Sequence, residues 1–167
     1  DLWTQWRAPD LVLGQTCGLP FRHSLHRETT LIGTLDYGLP NCAKGHYYSV
    51  FLARANDPPD HTSDFDGASL AYNEPFSPSG WAAAFDQRRA AGVTLRPALR
   101  TGAHAASAQA VLDARADIAA IDAITWRDLQ RYVPDMAGLK PVGHSAPTPG
   151  LPLIAAKNSA SAHVAPQ

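Results

Sequence analysis

Two serines, a glycine, a histidine and an aspartate carry the settings in this chain that suit chemistry with an anion. The stretch Tyr72-Asn73-Glu74-Pro75-Phe76-Ser77-Pro78-Ser79-Gly80-Trp81 reads as the end of a strand, a polar loop and the start of a helix. Ser77 suits the N-cap and Pro78 the first helical position. Ser79 adds a hydroxyl, and Gly80 lets a ligand approach the backbone closely. Unsatisfied backbone N–H groups and the helix dipole draw negative charge to such a terminus. The same residues also make an ordinary Ser/Pro cap with no ligand, and local sequence leaves both readings open.

Two further strand-to-helix junctions follow. Thr101-Gly102-Ala103-His104 opens one helix, and Asp122 opens the next. His104 can donate to an anion or change charge near neutral pH. Asp122 can accept from a ligand amine or hydroxyl, or simply cap its helix. In an open parallel sheet all three junctions share the edge where ligands collect. The other histidines, at 23, 26, 46, 61, 144 and 163, fall into no metal-ligand spacing, so no metal site is expected. G-x-S-x-G, a Walker loop and G-x-G-x-x-G are absent. Cys17 precedes Gly18, which leaves a Cys–His nucleophile pair as a weak option. Gln15, Thr16 and Tyr37 lie on loops and suit either turn chemistry or the wall of a cleft.

The elements that must position these residues show as changes of pattern. Residues 1–10 read as a helix end, with Trp3 and Trp6 on one face and Pro9-Asp10 as its stop. Leu11-Val12-Leu13 suits a short buried strand, residues 15–18 a loop, and residues 30–33 a second strand. Tyr47 to Arg54 is rich in aromatic and β-branched residues and ends at Asp57-Pro58-Pro59. Strands and helices then alternate: strand 69–73, helix 78–91 closed by Gly92, strand 93–99, helix 105–116, strand 117–121, helix 122–132. That alternation predicts parallel β-α-β units. Ala105, Ala108, Val111, Leu112 and Ala116 are expected along the buried side of the second helix. A Pro- and Gly-rich return covers 139–154, and the Ala/Ser-rich tail from 157 is expected to fray.

Composition narrows the classes. The chain has 167 residues, 45% hydrophobic and 17% charged, which is globular and not disordered. Its 14 basic and 15 acidic side chains give a net charge of −1, so no general attraction to nucleic acid is expected. No apolar run approaches the roughly 18 residues of a membrane-spanning helix. The chain starts at Asp1 with no signal peptide, and a mature, cleaved or truncated product is expected.

Taken in order, these pieces resemble the phosphate/phosphonate-type substrate-binding proteins of ABC transporters, which have the type II periplasmic-binding-protein fold. The resemblance rests on Ala71-Tyr72-Asn73 with Ser77-Pro78-Ser79-Gly80, Thr101-Gly102-Ala103-His104 with Ser107, and Ala116 to Asp122. The segments 15–18, 36–40 and 148–152 resemble a further branch of that family. The resemblance covers about residues 1–156 and implies an α/β clamshell. Residues 1–54 would form a partial first lobe with a hinge strand, 55–138 a complete β-α-β second lobe, and 139–156 the return strand, with 157–167 as a tail. The two crossing segments would lie at the hinge.

The resemblance further implies a non-catalytic solute receptor that closes on a small phosphonate- or phosphate-like anion and needs no cofactor. Ser77, Ser79, Gly80 and His104 would hold the anionic head. Asp122 would sit where family members receive a cationic ligand group. Tyr37 and Tyr72 would pack against the ligand, with Asn73, Gln15 and Thr16 nearby. An inner-membrane ABC permease would be the partner, and the location periplasmic. An exported compartment would permit a disulfide between Cys17 and Cys42 on neighbouring loops of the first lobe. The chain departs from the family where Pro78 replaces a small polar residue, removing one hydroxyl donor. The family's first β-α-β portion and its final helices are also expected to be missing, and pairing with a second copy would complete the first lobe. An enzyme on the same scaffold, using Cys17 or His104, and a ligand-sensing domain remain the alternatives.

Overall fold

The structure is a computed structural model that describes residues 1–159, apart from the side chains of residues 88–91. In chain order the helices are α1 (Leu2–Trp6), α2 (Gly18–His23), α3 (Ala83–Ala91), α4 (His104–Leu112) and α5 (Ala123–Tyr132). The strands are β1 (Gly14–Gln15), β2 (Thr29–Thr34), β3 (His46–Tyr47), β4 (Ser49–Arg54), β5 (Ser69–Tyr72), β6 (Arg96–Arg100), β7 (Ile118–Asp122), β8 (Leu139–His144), β9 (Thr148–Pro149) and β10 (Pro152–Ala156). The chain forms two units. The first comprises Asp1–Gly38, Ala43–His46 and the described part of Pro149–Gln167; the second comprises Leu39–Cys42 and Tyr47–Thr148.

In the first unit, β10 lies between β1 and β2 and runs antiparallel to both. Leu25, Ile154 and Ala155 are fully buried there, with Thr16 and Thr29 buried beside them. Asp1 caps α1 by accepting from the Thr4 N–H, and Trp3 meets Trp6 edge-on at 5.6 Å. The buried strand expected at residues 11–13 does not form. Val12 and Leu13 are 66% and 56% exposed, and pairing begins only at Gly14. A three-residue apolar run has no period, so it cannot specify which face is covered. The loop expected at 15–18 instead leads into α2, with Cys17 at the cap position.

The second unit is built on a five-stranded sheet in the order β6-β5-β7-β4-β8. β5 runs parallel to β6 and β7, whereas β4 is antiparallel to β7 and β8. β4 reads Ser-Val-Phe-Leu-Ala-Arg and is buried through Ala53. A continuous apolar strand of this kind is covered on both faces. Phe51, Leu70, Val93, Leu95 and Ile118 form the main apolar cluster with the alanines of α3. The expected β-α-β alternation is present, with element ends displaced by at most five residues. α4 starts at His104, ends at Leu112, and buries Ser107, Ala108, Ala110 and Val111. Ala105 is therefore exposed rather than on the buried face, and Ala116 lies beyond the helix. Arg54 closes the far end of α4 by donating to the carbonyls of Val111 (3.1 Å) and Ala116 (2.9 Å).

The tail expected from residue 157 falls, from residue 160 onward, outside the described residues. Among the described residues, no helix is long and apolar enough to cross a membrane.

Candidate anion-binding site

β5, β6 and β7 are parallel neighbours, so the loops leaving their C-terminal ends lie side by side. The first loop carries Ser77. Its backbone is extended (φ −86°, ψ 120°), and its hydroxyl accepts from the Gly80 N–H at 3.0 Å. The Ser77 carbonyl accepts from both Trp81 N and Ala82 N at 3.1 Å. The second of these spans five residues, so Pro78–Ala82 is a wide π-type turn before α3 begins. Pro78, at the start, has no N–H to leave unsatisfied.

Gly80 has no room for a side chain. A Cβ there would lie 2.0 Å from Asn73 Oδ1 and 3.3 Å from His104 Cε1. The backbone of the turn thus touches the side chains of two other junction residues. Tyr72 ends β5 and Asn73 follows it. The Tyr72 ring packs on Trp81 at 4.5 Å, and Trp81 on Phe85 at 4.8 Å.

His104 is the first residue of α4, and its ring turns toward the Ser77–Gly80 bend. Nε2 lies 2.8 Å from Ser79 Oγ and 3.4 Å from Asp122 Oδ2. Ser77 and Ser79 hydroxyls are 3.4 Å apart. Asp122 ends β7 and caps α5. Its Oδ1 accepts from the Thr125 N–H at 2.8 Å, and its Oδ2 from the Thr125 hydroxyl. Burial holds the His104 pKa below the usual imidazole value, against the opposing pull of the Asp122 charge and of the Ala120 carbonyl. Two buried polar atoms here make no hydrogen bond: Asn73 Oδ1 and His104 Nδ1.

Seven of the sequence-derived site residues therefore meet in the second unit: Tyr72, Asn73, Ser77, Ser79, Gly80, His104 and Asp122. Both readings of Ser77 and Asp122 as helix caps hold, because each hydroxyl or carboxylate oxygen satisfies a first-turn N–H. Gln15, Thr16 and Tyr37 belong to the first unit, where Gln15 Nε2 donates to the Tyr37 hydroxyl at 2.6 Å and Thr16 is buried. Sequence reasoning passed over Thr125, which fixes both carboxylate oxygens of Asp122. Its signal was present as the third position after a capping aspartate.

The expected disulfide is corrected. Cys17 and Cys42 are each half-buried, and no disulfide occurs among the described residues. The expectation assumed two neighbouring loops of one lobe, whereas Cys17 belongs to the first unit and Cys42 to the second. Among the described residues, no group of three His, Cys, Asp or Glu side chains is arranged to hold a metal.

Residues 33–166 match the family described as ABC transporter, phosphonate, periplasmic substrate-binding protein. No curated protein matches the chain. Among solved structures, the binding protein component of an ABC phosphonate transporter from Pseudomonas aeruginosa superposes with a TM-score of 0.68 at 18% identity, covering 96% of this chain and 57% of that one. PhnD1 from Prochlorococcus marinus, in complex with methylphosphonate, gives a TM-score of 0.75 at 18% identity, covering 93% and 60%. A histidine kinase sensor domain with similarity to periplasmic binding proteins gives 0.57 at 16% identity, covering 90% and 57%. At these identities the likeness is one of fold. The chain spans about three fifths of the length of the solved proteins it matches.

Proposed function

We propose a function from one premise: the chain belongs to the family of ABC-transporter phosphonate periplasmic substrate-binding proteins. Its α/β fold is that of the type II periplasmic binding proteins. On this reading the chain binds a small oxyanion of the phosphonate or phosphate class in the periplasm and delivers it to an ABC permease. Ser77, Ser79 and the N–H groups of the Gly80 turn hold the anionic head, with His104 as a further donor. Tyr72 and Asn73 shape the wall. The observation that carries the reading is the meeting of the Ser77–Gly80 bend with His104, through the 2.8 Å contact from Ser79. Hydroxyls, a helix start and an imidazole at one point make a site for negative charge.

A catalytic use of this cluster has less support. A nucleophile–histidine–carboxylate relay sets the two partners on opposite ring nitrogens. Here Ser79 and Asp122 both approach Nε2.

The test is a thermal melt of the chain with methylphosphonate, inorganic phosphate and sulfate. A ligand at a hundredfold excess over its Kd stabilises by about 2.7 kcal/mol. Stabilisation by methylphosphonate or phosphate, abolished in Gly80→Ala, supports the reading. No shift with any of the three overturns it.

A further inference from the structure

The described side chains that build the site include no lysine or arginine: they are Tyr72, Asn73, Ser77, Ser79, His104 and Asp122. Asp122 adds negative charge. Arg100, which ends β6, is exposed and paired with Glu74. Among these described residues His104 is the group able to become a cation at the anion's position.

Its surroundings suit neither neutral form. With the proton on Nδ1, Nε2 accepts from the Ser79 hydroxyl at 2.8 Å, but its lone pair also has the Asp122 carboxylate 3.4 Å away. With the proton on Nε2, the lone pair of Nδ1 stays buried without a partner. Only the doubly protonated ring offers a donor on both sides. Burial opposes that charge, and in the ligand-free chain burial dominates. An oxyanion seated against Ser79 places a second negative charge beside the ring and shifts the balance.

We propose that an oxyanion binding at the Ser77–Gly80 bend draws a proton from solvent onto His104, so that ligand and proton enter the site together. This rests on the solute-binding reading above. No bond of the ligand changes, since the proton passes from water or buffer to a ring nitrogen. The charged groups on the elements packed against α4 leave His104 as the responding group. Asp122 on β7 faces the ring. Arg54 on β4 is committed to the opposite end of α4 and to Asp57. Lys140 on β8 is bound to Asp60 and the Asp57 carbonyl. Asp135, in the turn after α5, is exposed, as are Arg127, Asp128 and Arg131 of α5. On β5, Tyr72 stacks on Trp81.

The consequence is proton-linked affinity. For a ligand of fixed charge, affinity is highest at low pH, falls by up to about tenfold per pH unit between the free-state and bound-state pKa of His104, and levels off above the latter. The experiment is titration calorimetry of the chain at about pH 7.5 in buffers of low and high ionisation enthalpy, with methylphosphonate, phosphate and sulfate. Sulfate does not titrate in this range, so protons counted with it belong to the protein. The expected uptake is about one proton per sulfate bound. For the two ligands that titrate, the expected uptake is about one proton more than His104→Gln takes up. Nitrogen-15 NMR of His104 in the saturated chain decides the matter even where His104→Gln fails to bind. Two protonated ring nitrogens support the proposal, and a remaining neutral tautomer overturns it while leaving solute binding intact. Absence of binding by all three anions overturns the solute-binding reading, and this proposal with it.

Discussion

Ser79 and His104 stand 25 positions apart in sequence and 2.8 Å apart in space, hydroxyl to Nε2. The contact ties the bend after β5 to the first residue of α4. It exists because β5 and β6 are parallel, hydrogen-bonded neighbours whose following loops emerge on one edge. The resulting cluster is nearly dry: Ser77 is 3% and Ser79 6% exposed. Its groups are also already in use, with Ser77 capping Gly80 and Asp122 capping Thr125. A ligand therefore exchanges internal hydrogen bonds for its own, and the mutational predictions follow from which bond each residue makes.

Gly80→Ala places a methyl group 2.0 Å from Asn73 Oδ1. The Asn73 side chain, whose Oδ1 is buried, must move, since the backbone of the turn is held by Ser77. Overpacking of this kind costs roughly 1–3 kcal/mol. Urea denaturation should register that loss, and calorimetry with methylphosphonate or phosphate should show no binding. Wild-type affinity in Gly80→Ala would remove the turn from the site.

Ser79→Ala removes the hydroxyl partner of His104 but no backbone cap. The expected stability loss is about 0.5–1.5 kcal/mol. The affinity for phosphate should fall about tenfold or more, as for loss of a hydrogen bond to a charged ligand. Ser77→Ala should instead lose about 1 kcal/mol through the cap itself. Comparing urea midpoints with calorimetric affinities separates the two serines.

Asp122→Asn keeps an N-cap acceptor for Thr125, whereas Asp122→Ala removes it. The alanine variant should be about 1 kcal/mol less stable than the asparagine variant. Asp122→Asn also removes the carboxylate that favours the charged imidazole. The His104 titration, followed by NMR, should move to lower pH in that variant. No movement would show that Asp122 does not act on the ring.

The pH dependence of folding has a defined sign. The folded pKa of His104 lies below its unfolded value, so the unfolded chain binds more protons as pH falls. This contribution to stability is complete above the unfolded histidine pKa of about 6.5 and is lost progressively below it. His104→Gln should show a flatter urea midpoint between about pH 7.5 and 5.5. Asp117 acts in a separate, more acidic window. Hydrogen bonds from Ser69 hold its pKa below the usual carboxylate value, so its contribution is present above the unfolded value of about 3.9 and is lost below it. An equal slope in wild type and His104→Gln would show that the ring does not titrate on unfolding.

Local features were legible in the residues alone. The Ser77-Pro78 cap, the Asp122 cap and the Gly92 stop each depend on a few contiguous side chains and form where those residues direct, whereas the strand expected over Tyr47–Arg54 breaks at Tyr48 and runs from Ser49 to Arg54. The order of the three junctions followed from the strand–helix alternation. Other features had no local signal. The exposure of Val12 and Leu13 and the division of Cys17 from Cys42 depend on which elements cover which, as does the grip of Arg54 on the end of α4. The same holds for the site itself: the residue types were readable one by one, but the shared Nε2 contact of Ser79 and Asp122 was not. A cap is decided within one turn of helix, whereas that contact requires β5 to pair with both β6 and β7 in a given register, and only long-range packing selects such a pairing.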